Sequence, residues 1–386
     1  MLVPRRLPAH IRDLTNFFPA ISLTGPRQAG KTTLLKEMFP DYKYVSLENP
    51  TIRLAAKSDP ASFLAEYNDK VIFDEAQRFP DLFSYLQGMI DEDRRPGRFI
   101  LSGSQNFLLR KNISQSLAGR IGIVKLLPLD NTELKNASIL ADTFEEAILT
   151  GSYPGLINEG YPREAFYSSY VASYLERDVI ELVSSENLDL FQRFIQVCAT
   201  YTGQAINLSK ISNDIGVSVP TVRSWIGILE QSYIIFRLQL FFRNIGKRLA
   251  KTSKLYFFDT GLACHLLGLH DIEEVKSYDK LEALFENMMI ADALKSFHHM
   301  RATPRFYYYR DTHQQEVDLV YERGNFARLW EMKISWNYKP RMIKTMERVA
   351  EYWDRPTETN LIYTGDEEHR VNKSTMINWR NVEWKK

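Results

Sequence analysis

Gly25-Pro26-Arg27-Gln28-Ala29-Gly30-Lys31-Thr32-Thr33 combines residue types and a spacing that can hold a triphosphate. Two glycines frame the run, and a lysine and a hydroxyl residue close it, in the pattern G-x-x-x-x-G-K-[ST]. The glycines let consecutive N–H groups turn toward phosphate oxygens, and a helix N-terminus adds its dipole. Lys31 is expected to reach the β- and γ-phosphates, and the Thr32 hydroxyl to hold Mg²⁺. A second run, Val71-Ile72-Phe73-Asp74-Glu75, is apolar and ends in two carboxylates. A strand that delivers acids at its C-terminal end presents them to a ligand at the sheet edge. Asp74 is expected to work with Thr32 around Mg²⁺, and Glu75 to polarise the attacking water as a general base. An arginine near the γ-phosphate can be worth about 10³–10⁵ in rate. Arg120 and Arg27 are the candidates, acting in cis or from a neighbouring subunit.

The elements that must position these groups follow from the flanking residues. Residues 20–24 read as the strand entering the loop and residues 32–39 as the helix leaving it. Residues 42–47 read as a strand between the two motifs, residues 98–102 as the next, and residues 121–126 as a fifth. An inserted strand, a glutamate beside the Mg²⁺ aspartate and a polar strand end (Gly103-Ser104-Gln105-Asn106) resemble the water-activating P-loop ATPases, which include the AAA+ proteins. That resemblance implies that Ser104 or Gln105 senses the γ-phosphate.

A second set of chemistry-bearing residues lies in the C-terminal third. Residues 281–300 read as a helix carrying Glu286, and residues 305–310 and 316–322 as strands, the latter carrying Asp318. Residues 326–334 read as a strand ending in Glu331-Met332-Lys333, followed by a helix at 340–354 and a strand at 360–363. Period-two alternation puts Glu331 and Lys333 on one face. Asp318 and Glu331 on adjacent antiparallel strands can then face a shared divalent ion, with Lys333 beside it and Glu286 as an additional acid. The order α-β-β-β-α-β resembles the PD-(D/E)xK, or restriction-endonuclease-like, α/β fold.

Between these regions the pattern is helical. Residues 143–149, 165–182 and 188–201 read as helices of a lid. Leu208, Ile211 and Ile215, then Val222, Ile226 and Leu229, mark two helices about the turn Gly216-Val217-Ser218. With apolar strands at 233–242 this reads as a winged helix-turn-helix. In a DNA-binding version Ser218, Thr221, Arg223 and Ser224 are exposed toward the major groove. Arg237, Arg243, Lys247, Arg248, Lys251 and Lys254 follow with no acid between them. Six phosphate contacts would give a log–log salt slope of about −5.

Net charge is +1, so no global field points to nucleic acid or membrane, and any DNA site must be local. There is no N-terminal apolar core with a cleavage site, and no apolar run nears the ~18 residues of a membrane span. A cytoplasmic location without membrane association is expected. Cys198 and Cys264 lack metal spacing and read as buried small hydrophobes. The expected organisation is an AAA+-like P-loop core with a parallel sheet at 1–130, a helical lid at 131–201, a winged helix at 202–270 and the nuclease-like domain at 271–386.

Several runs occur together with the phosphate loop: Asp74-Glu75, Ser116-Leu117-Ala118-Gly119-Arg120, Tyr174-Leu175-Glu176-Arg177-Asp178 and Leu255-Tyr256-Phe257-Phe258-Asp259-Thr260-Gly261-Leu262. Phe285-Glu286-Asn287, Glu316-Val317-Asp318 and Glu331-Met332-Lys333 complete the set. Over nearly its whole length the chain resembles bacterial and archaeal AAA-type ATPases with a C-terminal domain of unknown function. The resemblance implies ATP and Mg²⁺ as ligands. The expected function is ATP hydrolysis coupled to DNA, at branched or recombination intermediates, by a homo-oligomer for which a hexamer is one form. An ATP-gated Mg²⁺-dependent DNA nuclease is the second reading. A nucleotide-dependent switch binding protein partners is the third, motivated by the neutral net charge.

Overall fold

The computed structural model describes residues 2–104, 113, 116–174, 183, 187–241, 253–300, 304–353 and 355–384. Its N-terminal third is built on five strands: β1 (Ala20–Thr24), β2 (Lys43–Ser46), β3 (Val71–Asp74), β4 (Phe99–Gly103) and β5 (Ile121–Lys125). They form an all-parallel sheet in the order β2-β3-β4-β1-β5. β1, β3 and β4 are buried at every position. Such continuous apolar runs are what a parallel sheet covered on both faces requires. The covering helices are α1 (Pro8–Thr15), α2 (Lys31–Met38), α3 (Pro50–Ser58), α4 (Pro60–Glu66) and α5 (Leu82–Glu92). Ile21, Ile72 and Ile100 face Ile11 of α1 and Leu34 of α2, whereas Phe73, Phe99 and Leu101 face Leu86 and Ile90 of α5. The chain is therefore an α/β protein with a parallel sheet whose strand ends all point one way.

Among the described residues, seven helices follow: α6 (Asn131–Asn136), α7 (Phe144–Thr150), α8 (Pro154–Glu159), α9 (Arg163–Tyr174), α10 (Leu188–Thr200), α11 (Leu208–Ile215) and α12 (Val219–Gln231). The helix expected at 165–182 is α9 as far as Tyr174, and residues 175–182 lie outside the described residues. α11 and α12 are joined by a tight turn. Gly216 ends α11 in the left-handed conformation, and the Ser218 hydroxyl accepts from the Thr221 N–H to start α12.

The remainder comprises β6 (Ile235–Leu240), β7 (Lys254–Phe257), α13 (Thr260–Leu267), α14 (Ile272–Ser277), α15 (Leu281–His299), β8 (Phe306–Arg310), β9 (Glu316–Arg323), β10 (Phe326–Lys333), α16 (Arg341–Glu351), β11 (Thr357–Tyr363), β12 (Arg370–Val371) and β13 (Ser374–Asn378). From α15 to β11 the order is helix, three strands, helix, strand. β6 pairs antiparallel with β7 and parallel with β8, so the hairpin after α12 is continuous with an eight-stranded sheet. One apolar core takes in Val3 of the N-terminal arm and residues from Leu129 to Trp384, across the positions 201 and 270. Among the described residues no helix is long and apolar enough to cross a membrane.

Candidate functional site

The phosphate loop turns between the end of β1 and the start of α2. A Cβ at Gly25 would lie 1.9 Å from the Leu126 carbonyl oxygen, so only glycine lets the loop leave the sheet this close to its neighbour. Gly30 is left-handed (φ 84°) and caps α2. The Lys31 ammonium donates to the carbonyls of Gly25 (2.9 Å) and Pro26 (2.8 Å). The Thr32 hydroxyl donates to Asp74 Oδ2 at 2.8 Å.

Asp74 is held from two more directions: Tyr44 on β2 donates to Oδ2 at 2.6 Å, and Ser102 on β4 to Oδ1 at 2.5 Å. Burial and this hydrogen bond raise the Tyr44 phenol well above its ordinary pKa, so it remains a donor. Three side-chain donors, with the Glu75 N–H at 3.2 Å from Oδ1, fix the orientation of this carboxylate. Tyr44 and Ser102 were missed from the sequence, because their role depends on which strands flank β3. Glu75, in the left-handed conformation (φ 53°), accepts from Gln77 and from the Ser104 hydroxyl at 3.3 Å. The residues expected to polarise water and to sense the γ-phosphate are thus neighbours. Gln105 and Asn106 lie outside the described residues.

These groups face a cleft of about 680 Å³, lined by Arg27, Gln28, Gly30, Lys31, Thr32, Thr33 and Glu75 on one wall and Phe166, Ser169 and Tyr170 of α9 on the other. Behind it, Arg5 braces the loop: its guanidinium donates to Ala29 O (2.9 Å), to Leu127 O (2.7 Å) and to Glu133 Oε1 (3.1 Å). Glu133 and Asp130 form the capping box of α6, and Asp130 also meets His299 of α15 at 2.8 Å. Asp130, Glu133 and His299 have metal-ligand spacing, but the guanidiniums of Arg5 and Arg6 already face these acids.

Arg120 is a correction to the sequence expectation within one chain. Its carbonyl accepts from Ala20 N at the start of β1, so it stands at the opposite end of the parallel strands from the loop. Its guanidinium forms two 2.8 Å bonds to Asp91 of α5. Arg27 does line the nucleotide-sized cleft.

The second cluster assembles on β7, α15, β9 and β10. Lys333 donates to Glu331 at 2.8 Å and to Asp318 at 3.2 Å, while Asp318 also accepts from Met332 N at 2.8 Å. The β9–β10 register, Trp330 opposite Leu319, brings Asp318 to Glu331. Burial would raise Asp318, but the charges of Lys333 and Lys254 outweigh it and hold its carboxyl below the usual range. Burial and the Asp318 charge push the Glu331 carboxyl well above its usual range, against the opposing charge of Lys333. Glu286 accepts from Lys254 (2.9 Å) and Tyr256 (2.5 Å). The carboxylates of Glu286, Glu316 and Asp318 offer oxygens all within 4.8 Å of one another, but the Lys254 ammonium already pairs with Glu286 and Glu316.

The basic run needs a second correction. Lys254 is only 3% exposed and pairs with Glu286 and Glu316, so it is no phosphate contact. Burial opposes its charge, yet the surrounding acids raise its pKa above the ordinary value. Arg237 is held by Glu230 through two 2.8 Å bonds. Arg243, Lys247, Arg248 and Lys251 lie outside the described residues. On α12 and its cap, Ser218, Arg223 and Ser224 are exposed and Thr221 is half-buried.

Other runs singled out in the sequence hold the fold together. Asp259 is buried and accepts from Ser152 N (2.6 Å), Tyr167 OH (2.7 Å) and Leu262 N (2.9 Å). Asn287 pairs with both backbone groups of Phe257. Cys198 and Cys264 are free and buried, and burial raises both thiols, Cys264 to about 12.

Residues 18–135 match the sequence family described as AAA domain. Residues 141–273 and 281–382 match two domains of unknown function, DUF8612 and DUF4143. The chain is 32% identical over 326 residues to the protein Rv2008c of Mycobacterium tuberculosis, covering 83% of this chain and 72% of that one. It has the same identity and coverage with Mb2031c of Mycobacterium bovis. Among solved structures, the Walker-type ATPase PABY2304 of Pyrococcus abyssi is similar at 17% identity and a TM-score of 0.43, over 67% of this chain and 94% of that one.

Proposed function

The chain belongs to the family that joins an AAA domain to the domain DUF4143, and from that premise we propose that it binds and hydrolyses ATP with Mg²⁺ and acts on DNA as a homo-oligomer. The observation that carries the proposal is the convergence of Lys31, the Thr32–Asp74 hydrogen bond and Glu75 on one cleft. In this reading the loop amides and Lys31 hold the phosphates, and Thr32 and Asp74 hold Mg²⁺, which when bound neutralises phosphate charge. Glu75 takes the proton of the attacking water, with Ser104 and Gln77 fixing its carboxylate. Arg27 is available in cis, and Arg120 reaches a nucleotide only from a neighbouring copy.

DNA contact is assigned to the exposed Ser218, Arg223 and Ser224 with Thr221, in a winged helix whose hairpin is β6–β7. ATPase rates with and without duplex, single-stranded and four-way DNA test the proposal. Stimulation by at least one form is expected, and absence of both binding and stimulation with all of them refutes the DNA reading.

A second reading, an ATP-gated DNA nuclease, is favoured by the convergence of Asp318, Glu331 and Lys333 with Glu286 nearby. Incubation with Mg²⁺ or Mn²⁺ and several DNA forms tests it. Cleavage that survives Asp318→Ala excludes this site.

A further inference from the structure

The loop that leaves β10 carries Trp336, which is 71% exposed. Single exposed apolar residues are common on protein surfaces, but this one stands on a clamped backbone. The Ser335 N–H donates to Thr364 Oγ1 at 3.0 Å, and the Ser335 hydroxyl to Asn337 O at 2.7 Å. A Cβ at Gly365 would collide with the Trp336 carbonyl, so glycine lets the chain after β11 pack directly on this loop. A fixed turn therefore holds the indole out in solvent with its ring face open.

The loop leads into α16, which buries Ile343, Met346 and Val349 and leaves Arg341, Lys344 and Arg348 exposed. Spacings of three and four residues set these cations in one row along the helix. Lys339 is exposed just before the row, and Tyr352, 75% exposed, stands at its far end. From Met332 to Met346 the chain has no acid. Glu347 is drawn aside to Ser374 at 3.0 Å, and Glu351 lies in the last turn. Among the described residues none of Lys339, Arg341, Lys344 and Arg348 forms an ion pair. Cations alone would suit any polyanion. An exposed indole beside them selects one whose aromatic faces are uncovered, which a single strand offers and a duplex does not.

We propose that this strip holds a single DNA strand, with phosphates along Arg341, Lys344 and Arg348 and an unpaired base stacked on Trp336. Lys333 precedes Trp336 by three residues, about 10 Å of chain at most, and its side chain is 34% exposed. A strand on the strip therefore runs beside Lys333 and its partners Asp318 and Glu331. The inference rests on the DNA reading above and adds to it the strandedness of the ligand and the residues that read it.

The test is fluorescence anisotropy of labelled oligothymidylate, of its abasic counterpart and of a duplex across a salt series. The full chain is compared with Trp336→Ala, Trp336→Phe and the double variant Lys344→Gln/Arg348→Gln, with thermal melts checking that each is folded. Trp336→Ala should weaken oligothymidylate binding by about 10-fold or more, and Trp336→Phe should keep most of the affinity. The abasic strand should bind the full chain and Trp336→Ala alike. The double variant should reduce the magnitude of the single-strand salt slope by about 1.4, or about 0.7 per charge. Oligothymidylate binding that Trp336→Ala leaves unchanged overturns the stacking site, as does an abasic strand held as tightly as oligothymidylate. An unchanged slope in the double variant overturns the phosphate track. A full chain that binds duplex but not oligothymidylate overturns the single-strand proposal alone, and one that binds neither overturns the DNA reading itself.

Discussion

Lys254 of β7 and Glu286 of α15 form a 2.9 Å ion pair that is almost closed to solvent. The pair ties the hairpin after α12 to the helix that supplies the additional acid of the C-terminal cluster. Replacing Lys254 by methionine leaves Glu286 and Glu316 without their shared cation. Loss of one partner from a buried pair typically costs about 3–5 kcal/mol, so urea unfolding of Lys254→Met should show a loss of that order. Adding Glu286→Gln to Lys254→Met should recover part of it.

In the phosphate-loop cleft, Lys31→Ala should abolish ATP binding or nearly so. Glu75→Gln should retain binding and reduce turnover by about 10²–10⁴, the usual contribution of a positioned base. Equilibrium binding alongside steady-state ATPase rates separates the two effects, and normal turnover by Glu75→Gln refutes the base assignment.

Arg5→Ala removes the donor to Ala29 and Leu127 and the cation beside Glu133. ATP affinity should fall about 10-fold, since one or two charge-assisted hydrogen bonds behind the loop are worth roughly 1.5–3 kcal/mol each before the loop relaxes. Arg5→Lys should not restore it, because one ammonium cannot match the spread of the guanidinium donors. Isothermal titration of both variants with ATP checks this.

On the exposed face of α12, Arg223→Ala should weaken DNA binding and reduce the magnitude of the salt slope by about 1. Fluorescence anisotropy across a salt series reads the slope directly. An unchanged slope means that Arg223 neutralises no phosphate.

His298 gives the chain an acid-sensitive element. Burial first, and then the charges of Lys125 and His299, lower its pKa to about 3. The unfolded chain takes up this proton near pH 6.5 and the native state does not, so stability falls as pH drops from about 6.5 toward 3. Melting temperatures of His298→Gln should fall less steeply than those of the parent over that window.

The phosphate loop, the Asp74-Glu75 pair and all five strands of the first sheet are legible in the sequence because their chemistry is local. Glycine geometry, a lysine at fixed spacing and a buried apolar run ending in acids need only neighbours along the chain. Asp318, Glu331 and Lys333 are legible for a similar reason, since strand alternation and a hairpin register bring them together. Arg120 and Lys254 are misplaced by the same local reasoning. Arg120 lies near β5 in sequence, but a parallel sheet puts the start of β5 at the end remote from the loop. Lys254 belongs to a basic run by composition, but β7 carries it into a cage of acids contributed by α15 and β9.

Short-range properties, backbone turns and strand periodicity, already mark in the sequence the glycine-framed loop before α2 and the buried strand that ends in Asp74 and Glu75. Only the tertiary structure decided which side chains hold Asp74, which arginine stands behind the loop, and which lysine neutralises the second acid cluster. Those choices depend on strand order, on helix packing and on the burial of charge, which forces each buried ion to find a partner far away in the chain.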